Sequence, residues 1–317
     1  MTLAFIDAAT TRAALPFQDL IRALRQAFAE GVEVPLRHAH AIGGAAAEPA
    51  GTLLLMPAWR PGRRGGLKTV SIYPGNAERG LPTLHSTYLL FDAATGAPLA
   101  FIDGDQITRR RTAAASALAA SFLARRDAAR LLVVGAGQVA ALMAEAMSAV
   151  RPLREVAVWA RRPEAARRLA RELSDAGFDA VAVSDLEGAV RRADIVSCAT
   201  LSTAALVEGA WLREGAHLDL IGSFTPQMRE SDAECFARAR VFTDTQEALA
   251  KSGDVLEAMR AGSFAADRLQ GTLADLCAGR VAGRSDDAEI TLFKSVGTAL
   301  EDLAAAEMVF DAARASR

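Results

Sequence analysis

The chain has 317 residues, of which 51% are hydrophobic and 23% are charged, and its formal net charge is −2. This length is enough for two domains of ordinary size, and the composition is that of a globular protein rather than a disordered one. The even spread of Lys and Arg argues against nucleic-acid binding and against a basic membrane-binding surface.

The N-terminal segment and the cysteines indicate a cytoplasmic protein. MTLAFIDAATTRAAL has an acid at Asp7 and no basic start to an apolar run, which argues against a signal peptide. No apolar stretch reaches about 18 residues, so no membrane span is expected. The cysteines lie far apart, without the CxxC spacing of a zinc site: Cys198, Cys235 and Cys277. His38 and His40 lack nearby Cys or acidic ligands, so no metal site is expected.

The first 105 or so residues are predicted to form a mostly antiparallel β region after a leading helix. Apolar residues at helical spacing predict that helix over 11–30, and Gly31 ends it. Strand-like runs follow in TLLLMPAW, LKTVSIYPGN and STYLLFDAATGAPLAFIDG. The last run predicts a hairpin whose turn contains Thr95 and Gly96. The alanine-rich stretch at 41–51 is predicted to be a loop.

From Thr108 the sequence pattern changes to helices that alternate with strands. TRRRTAAASALAASFLARR predicts a helix with Thr108 as its N-cap. The apolar runs that follow are RLLVVGAG, EVAVWAR, AVAVSD, IVSCAT, HLDLIGS and ARVFTDT. Their alternation with helical segments favours a parallel sheet with helices on both faces. The closing segment AEITLFKSVGTALEDLAAAEMVFDAARA is predicted to be a long helix after a short loop.

The segment LLVVGAGQVAALMAEAM carries a dinucleotide-binding pattern. Gly135, Gly137 and Ala140 form G-x-G-x-x-A after four apolar strand residues and at the start of a helix. The glycines permit a tight turn and the approach of backbone N–H groups to a pyrophosphate, and Ala140 permits close packing of the helix on the strand. An ordinary glycine-rich turn is the alternative; the surrounding strands and helix favour dinucleotide binding.

The end of the next strand indicates NADPH rather than NADH as the cofactor. NAD-binding sites usually place Asp or Glu about 20 residues after the glycines, to hold the ribose 2′-hydroxyl. This chain has Trp159, Ala160, Arg161 and Arg162 there. Guanidinium groups suit a 2′-phosphate. The alternative is that both arginines are solvated residues at the start of a surface helix, and NADH then remains possible.

Basic residues in the first part of the chain are candidates for binding a substrate carboxylate. Lys68 begins KTVSIY and shares the more apolar strand face with Val70, so it is expected to have an anionic partner unless it extends to solvent. Arg111 lies in helical register with apolar residues near the first turn of its helix, whereas Arg109 and Arg110 point elsewhere and are expected to be solvated. Thr112 could add a hydroxyl.

These motifs resemble the ornithine cyclodeaminase/mu-crystallin family. The resemblance rests on GLKTVSIYPGN, the RTAA helix start, VVGAGQVA and TLFKSVGTALEDLAAA, and it covers nearly the whole chain. It implies an α/β fold in which a Rossmann domain, 118–298, is inserted into an α+β domain for substrate binding and dimerisation, 1–117 and 299–317. It also implies a homodimer joined through the β regions.

The resemblance also implies roles for individual residues. Arg37, Lys68 and Arg111 correspond to the family's catalytic, substrate-carboxylate cluster. The cofactor contacts are expected from Gly135, Ala136, Gly137, Gln138, Val139, Arg161, Arg162, Thr200, Val296 and Gly297, with 294–297 lining the nicotinamide end.

The segment LDLIGSFTPQMRESD distinguishes between branches of this family. Ornithine cyclodeaminases and the family's alanine dehydrogenases carry an aspartate after IG, whereas this chain has Ser223 and Phe224. The form GSFTPQMRE resembles the reductases of Δ1-pyrroline-2-carboxylate and Δ1-piperideine-2-carboxylate. A cyclic imine protonated at nitrogen needs hydride at C2 and little acid catalysis, so no aspartate is required. Ser223 and Phe224 are therefore expected at the substrate, with Phe224 against its ring.

The resemblance thus predicts NADPH-dependent reduction of these cyclic ketimines to L-proline and L-pipecolate, with Lys68 as a possible proton relay. One alternative is an amino-acid dehydrogenase or ornithine cyclodeaminase of the same family. Another is a mu-crystallin-like protein that binds NADPH and small acids without catalysis, and a third is a degenerate Rossmann protein. His85 is interpreted as a structural or edge residue rather than a proton donor. The ring size of the substrate stays open, because a single methylene changes binding little.

Overall fold

The computed structural model describes residues 3–43 and 50–315. The predicted loop at 41–51 therefore lies mostly outside the described residues. The chain forms two compact units, here called unit 1 (Met1–Arg111 and Thr298–Arg317) and unit 2 (Thr112–Gly297). In the described part of the chain, no helix has both the length and the apolar character needed to cross a membrane.

The strands and helices are named in chain order. The strands are β1 (Ala4–Ile6), β2 (His38–Ile42), β3 (Gly51–Trp59), β4 (Arg64–Ile72), β5 (Leu84–Asp92), β6 (Pro98–Asp103), β7 (Arg130–Val134), β8 (Glu155–Trp159), β9 (Ala180–Ala182), β10 (Ile195–Cys198), β11 (His217–Leu220), β12 (Arg240–Thr243), β13 (Leu269–Thr272) and β14 (Thr291–Lys294). The helices are α1 (Ala8–Ala13), α2 (Phe17–Glu30), α3 (Gly104–Leu123), α4 (Met143–Ser148), α5 (Pro163–Asp175), α6 (Leu186–Arg192), α7 (Ala233–Arg238), α8 (Ala248–Lys251), α9 (Gly253–Arg260), α10 (Leu273–Cys277) and α11 (Ala299–Ala315).

Unit 1 is built on a sheet with the strand order β1-β6-β5-β4-β3-β2. The pairs from β2 to β6 are antiparallel, as predicted, and β1 adds to β6 in parallel. The predicted hairpin is β5–β6, and Gly96 in its turn has a φ of 73°. Helix α11 packs against α2 and against β3, β4 and β5, so the end of the chain covers this sheet.

Two helix boundaries in unit 1 differ from the sequence prediction. The predicted helix over 11–30 is two helices, because Asp7 caps α1 and the fixed φ of Pro16 starts a new helix, α2, one residue later. Thr108 is not an N-cap. Helix α3 begins at Gly104, and the Asp103 side chain accepts a hydrogen bond of 2.7 Å from the backbone N–H of Gln106. Asp103 therefore caps the helix one turn earlier.

Unit 2 has a fully parallel sheet with the strand order β13-β12-β14-β11-β10-β7-β8-β9. Its inner strands β10 and β11 are buried at every residue and β7 at all but the first, which is typical of a sheet covered on both faces. This is the predicted α/β Rossmann arrangement. Strand β7 lies between β8 and β10, so the chain reverses direction across the sheet there, and ligands bind at such a switch point.

Two strands of unit 2, β13 and β14, were missed by the prediction. TLFK, expected to lie in a loop before the last helix, is β14, which pairs with both β11 and β12. All four of its residues are buried. A run this short, directly before a helical pattern, carries no strand signal of its own, so its pairing partners determine its conformation.

Candidate functional site

The loop after β7 has the geometry of a dinucleotide-binding turn. Gly135 has a φ of 123°, and a Cβ atom built there would lie 2.5 Å from the carbonyl oxygen of Ala199, so only glycine fits. A Cβ atom on Gly137 would meet nothing within 4 Å, and this residue is exposed. Ala140 is fully buried, as the prediction of close packing requires. The open space in front of Gly137 is where a phosphate group would approach the backbone.

The residues after the glycines also suit a phosphate. Ala136 and Val139 are half-buried and Gln138 is exposed, and a 3-10 helical turn over Ala140–Leu142 leads directly into α4. The N–H groups at the start of a helical segment have no partner within that segment and favour negative charge. The backbone here therefore fits the pyrophosphate of a dinucleotide.

The two arginines after β8 are exposed. Arg161 follows the strand, and Arg162 is the residue before α5, where its side chain makes no capping hydrogen bond. Among the described residues neither guanidinium has an ion pair or a hydrogen bond. Both groups are thus available to an anionic ligand. Arginines that are only solvated at the protein surface would have the same exposure.

The loop after β10 is held by a buried acid. The Glu230 carboxylate accepts hydrogen bonds from the Thr200 backbone N–H at 2.6 Å and from the Thr200 hydroxyl at 2.8 Å. Its other oxygen accepts the Gly222 N–H at 2.6 Å. Glu230 is fully buried, and burial raises its pKa to about 7. Sequence reasoning missed Glu230, because an acid in the turn MRESD is indistinguishable from a solvated one.

Ser223 and Phe224 occupy different environments. Ser223 is fully buried, and its hydroxyl donates to the Met228 carbonyl at 2.6 Å and accepts from the Asp254 N–H at 3.1 Å. These contacts make Ser223 a residue that closes its own loop. Phe224 is 39% exposed, which leaves part of its ring free for a ligand. Their proposed contact with substrate stays a prediction.

The segment after β14 is also fixed by a buried acid. One oxygen of Asp244 accepts the backbone N–H groups of Val296 at 2.7 Å and of Gly297 at 2.6 Å. Lys294 is fully buried, and its ammonium donates to the Leu220 carbonyl at 2.8 Å. The predicted nicotinamide-end residues therefore have a rigid backbone, held by a side chain that the sequence prediction did not include.

Lys68 of unit 1 lies inside the sheet and has the expected anionic partner. It is the fifth residue of β4 and not its first, and it is 1% exposed. Its ammonium lies 2.8 Å from a carboxylate oxygen of Asp302 and donates to the Thr108 hydroxyl at 3.3 Å. The alternative of a strand-end lysine extending to solvent is therefore wrong.

Arg111 shares the same buried acid. Its Nε donates to Asp302 at 2.9 Å and its Nη1 to Glu301 at 2.5 Å. Arg111 lies in the third turn of α3, because that helix begins at Gly104. Arg110 is not solvated as expected: it is 5% exposed, donates to the Leu15 carbonyl at 2.7 Å and stacks over Phe17. The apolar stem of an arginine packs well where its head has a carbonyl partner.

Lys68, Arg111, Glu301 and Asp302 are joined by ion pairs and are here called the buried ionic cluster. Burial lowers the pKa of Lys68 to about 8, and Asp302 opposes that shift. The two cations hold the pKa of Asp302 below its usual value despite its burial. Sequence reasoning missed both acids. A signal was present, since GTALEDLAAAEM places two adjacent acids in an otherwise apolar helix segment, and buried acids need cationic partners.

Arg37, Thr112 and His85 were also singled out from the sequence. Arg37 is half-buried in the segment between α2 and β2, and Thr112 is half-buried on α3. His85 is exposed on β5, opposite Ser71 of β4, where it has no catalytic partner in the described contacts.

The exposed residues His38 and His40 have ring centroids 6.3 Å apart. No group of His, Cys, Asp and Glu suited to a metal ion occurs within residues 3–43 and 50–315.

Comparison with known proteins agrees with these features. The model of the ornithine cyclodeaminase/mu-crystallin family matches residues 5–317. A Δ1-pyrroline-2-carboxylate reductase of Paracoccus denitrificans is 43% identical over 263 residues, which cover 82% of this chain and 83% of that protein.

Two solved structures share the fold over nearly the whole chain. The Δ1-pyrroline-2-carboxylate reductase of Thermococcus litoralis, in complex with NADH and L-proline, superposes with a TM-score of 0.93 at 32% identity, covering 99% of this chain and 98% of that one. An archaeal alanine dehydrogenase dimer with bound NAD has a TM-score of 0.92 at 29% identity, covering 100% of this chain and 97% of that one.

Proposed function

This chain belongs to the ornithine cyclodeaminase/mu-crystallin family, and we propose that it is an NAD(P)H-dependent oxidoreductase that reduces the C=N bond of cyclic ketimines. Its substrates are Δ1-pyrroline-2-carboxylate, which gives L-proline, and Δ1-piperideine-2-carboxylate, which gives L-pipecolate. The observation that carries this proposal is the full-length likeness to a reductase of this kind that binds NADH and L-proline.

The cofactor supplies the hydride, and residues of unit 2 are proposed to hold it. The loop from Gly135 to Val139 faces the pyrophosphate, since Gly135 allows the tight turn and Gly137 leaves the backbone accessible. Thr200, Val296 and Gly297 have their positions fixed by buried carboxylates. The residues present therefore fit a nicotinamide dinucleotide.

We infer a preference for NADPH over NADH from the end of β8. Arg161 and Arg162 are exposed and lack ion pairs in the described contacts, and no acid stands at that position to hold a 2′-hydroxyl. Replacing both arginines by Ala is expected to raise the KM for NADPH about tenfold or more, since hydrogen bonds to a charged group contribute about 1.5–3 kcal/mol, and to leave the KM for NADH within about twofold. Equal changes for both cofactors would argue that these residues are only solvated.

The basic residues of unit 1 are proposed to hold the substrate carboxylate. The Nε and Nη1 groups of Arg111 donate hydrogen bonds to Asp302 and Glu301, and its Nη2 group has no hydrogen bond among the described residues. Arg37 and Thr112 are proposed to add a cation and a hydroxyl. Because the ion pairs to Asp302 and Glu301 hold both cations of the buried ionic cluster in place without substrate, no rearrangement is needed when substrate binds.

Lys68 is proposed to be the group that favours the protonated imine or passes on its proton. Burial lowers the pKa of Lys68 to about 8, so its ammonium group can donate a proton near neutral pH. Hydride addition at C2 of the protonated imine would form a C–H bond and move the C=N π electrons onto nitrogen as a lone pair. The product amine would keep its N–H proton and take up a second proton from water to become the ammonium form. Ser223 positions its loop, so that Phe224 is free to pack on the ring.

Further parts of the proposal concern the whole molecule. We propose that 1–117 and 299–317 bind substrate and form a homodimer through the β sheet, and that 118–298 binds the cofactor. A cytoplasmic location is proposed from the three free cysteines.

The substrate class is tested by comparing rival substrates with the same enzyme. Oxidation of NADPH is followed with Δ1-pyrroline-2-carboxylate and with pyruvate plus ammonia, and reduction of NADP is followed with L-alanine. With L-ornithine plus NADP, release of ammonia is followed, because cyclodeamination leaves the cofactor unchanged overall. We expect the cyclic imine to give the highest kcat/KM by at least about a hundredfold, which corresponds to about 2.7 kcal/mol. A higher value for pyruvate plus ammonia would instead favour the alanine dehydrogenase alternative.

A further inference from the structure

Glu230 connects the loops after β10 and β11, the two strands that follow β7 on one side of the sheet. It lies in the turn between β11 and α7, and its side chain is fully buried. One carboxylate oxygen accepts two hydrogen bonds from Thr200, after β10, and the other accepts one from Gly222, after β11. A single carboxylate therefore fixes the backbone at the carboxyl ends of two neighbouring strands, the edge at which parallel sheets bind ligands.

The held loop in turn supports the glycine turn. Ala199, the residue before Thr200, has its carbonyl oxygen within 2.5 Å of a Cβ atom built on Gly135, so these two backbones are in close contact. A side chain at Gly222 would meet the Thr200 carbonyl oxygen at 2.0 Å, so the second loop packs equally closely on the first. A shift of Thr200 would therefore change both the cofactor turn and the loop that carries Phe224.

The bonding pattern requires a carboxylate. All three groups that face Glu230 are donors: two backbone N–H groups and one hydroxyl. An ionised carboxylate accepts from all of them, whereas a protonated carboxyl or an amide places a donor against one of these donors. Losing one such bond to a buried charged group leaves an unpaired donor.

The electrostatic surroundings of Glu230 are mixed. The titratable and charged groups that face it are Lys294 from β14, Asp254 from α9 and the Cys198 thiol from β10. Burial is the main cause of the raised Glu230 pKa, which lies at about 7; Lys294 opposes that shift and Asp254 adds to it. Protonation of Glu230 is therefore accessible near neutral pH.

We propose that Glu230 is a positioning residue for the dinucleotide, and that its ionised form holds the Thr200 and Gly222 loops in the arrangement that binds the cofactor. This inference rests on the proposed function only in assuming that the loop after β7 binds a nicotinamide dinucleotide. The cofactor then binds more tightly to the ionised form, so binding releases a proton when the free protein is partly protonated.

The test measures cofactor binding without any substrate. NADH is titrated into the wild type, Glu230→Gln and Asp194→Asn by isothermal calorimetry from about pH 6 to about pH 9, in buffers of different ionisation enthalpy. NADH is the probe because the 2′-phosphate of NADPH titrates near pH 6 itself. Asp194 is the control: it is a buried acid that accepts two backbone N–H groups and also pairs with Arg125 and Arg213, at the opposite, amino end of β10.

We expect Glu230→Gln to raise the Kd for NADH about tenfold at pH 8, the factor that about 1.4 kcal/mol produces. Asp194→Asn is expected to lower thermal stability and leave this Kd within about twofold. The wild-type Kd is expected to rise as the pH falls below about 7, with proton release on binding, and both effects are expected to be absent from Glu230→Gln.

Two results would overturn the inference: an unchanged Kd in folded Glu230→Gln, or a wild-type Kd that is flat with pH and accompanied by no proton release. The second result needs no variant, so it decides the matter even where Glu230→Gln does not fold. Failure of the proposed function is a different outcome, in which NADH binds with this pH dependence and no cyclic imine is reduced.

Discussion

Replacing Asp302 by Asn is expected to destabilise the protein strongly. Asp302 is fully buried and holds the Lys68 ammonium at 2.8 Å and the Arg111 Nε at 2.9 Å. In the wild type, two cations face two acids. In the variant, the same two cations face Glu301 alone, and the amide N–H₂ group points a donor at donors.

The magnitude follows from that unpaired charge. Removing one partner of a buried ion pair typically costs about 3–5 kcal/mol. Part of this cost can be avoided by deprotonation of Lys68. Burial lowers the pKa of Lys68 to about 8 even though Asp302 opposes the shift, so removing the Asp302 charge lowers this pKa further. The destabilisation is therefore expected to be larger at pH 7 than at pH 9, where a smaller fraction of Lys68 carries charge.

The assay is urea unfolding of the wild type and Asp302→Asn at both pH values, with Asp19→Asn as the control. Asp19 pairs with Arg22 at the surface, where their side chains are 49% and 78% exposed, so its loss is expected to cost about 0–1 kcal/mol. The double variant Lys68→Met/Asp302→Leu is expected to recover much of the lost stability, because it removes both charges. A loss below about 1 kcal/mol in Asp302→Asn at pH 7 would refute the reasoning.

Three further changes test other parts of the molecule. Gly137→Ala is expected to leave the free energy of unfolding within about 0.5 kcal/mol of wild type, because its Cβ atom meets only open space. The same Cβ atom would occupy the space proposed for the pyrophosphate, so the Kd for NADH is expected to rise at least about tenfold. Unchanged NADH binding in a calorimetric titration would contradict this. Gly135→Ala is expected to destabilise by more than about 1 kcal/mol in urea unfolding, because φ is 123° and the carbonyl oxygen of Ala199 blocks the Cβ atom; wild-type stability would be the contrary result. His217 is buried, and burial lowers its pKa from 6.5 to about 3. The unfolded chain therefore binds a proton at His217 below pH 6.5 while the folded protein does not. The free energy of unfolding falls by up to about 1.4 kcal/mol per pH unit as the pH falls from 6.5 toward 3. His217→Asn is expected to show a correspondingly weaker loss of stability on acidification, and parallel unfolding curves over that range would argue against it.

Features that depend on local sequence were predicted well. The α/β fold class, the antiparallel region, the β5–β6 hairpin and the glycine turn each have a signal within a few residues. Strands β13 and β14 were missed because four residues carry too little pattern. The break between α1 and α2 was missed although Pro16 was visible, because the apolar spacing continues across it.

The partners of the candidate residues depend on tertiary contacts. Lys68 and Asp302 are 234 residues apart, so the sequence indicated that the lysine needs an anion without indicating which one. The same holds for Glu230, whose contact with Thr200 spans 30 residues. Arg110 was expected to be solvated because its neighbours are arginines, and its burial follows from the Leu15 carbonyl that α3 meets.

The most direct test of the central claim is to incubate the purified protein with Δ1-pyrroline-2-carboxylate and either NADPH or NADH, and to compare cofactor consumption with the product resolved by chiral chromatography. The account predicts one equivalent of L-proline for each equivalent of cofactor oxidised. Binding of both cofactors without any reduction of the imine would contradict it.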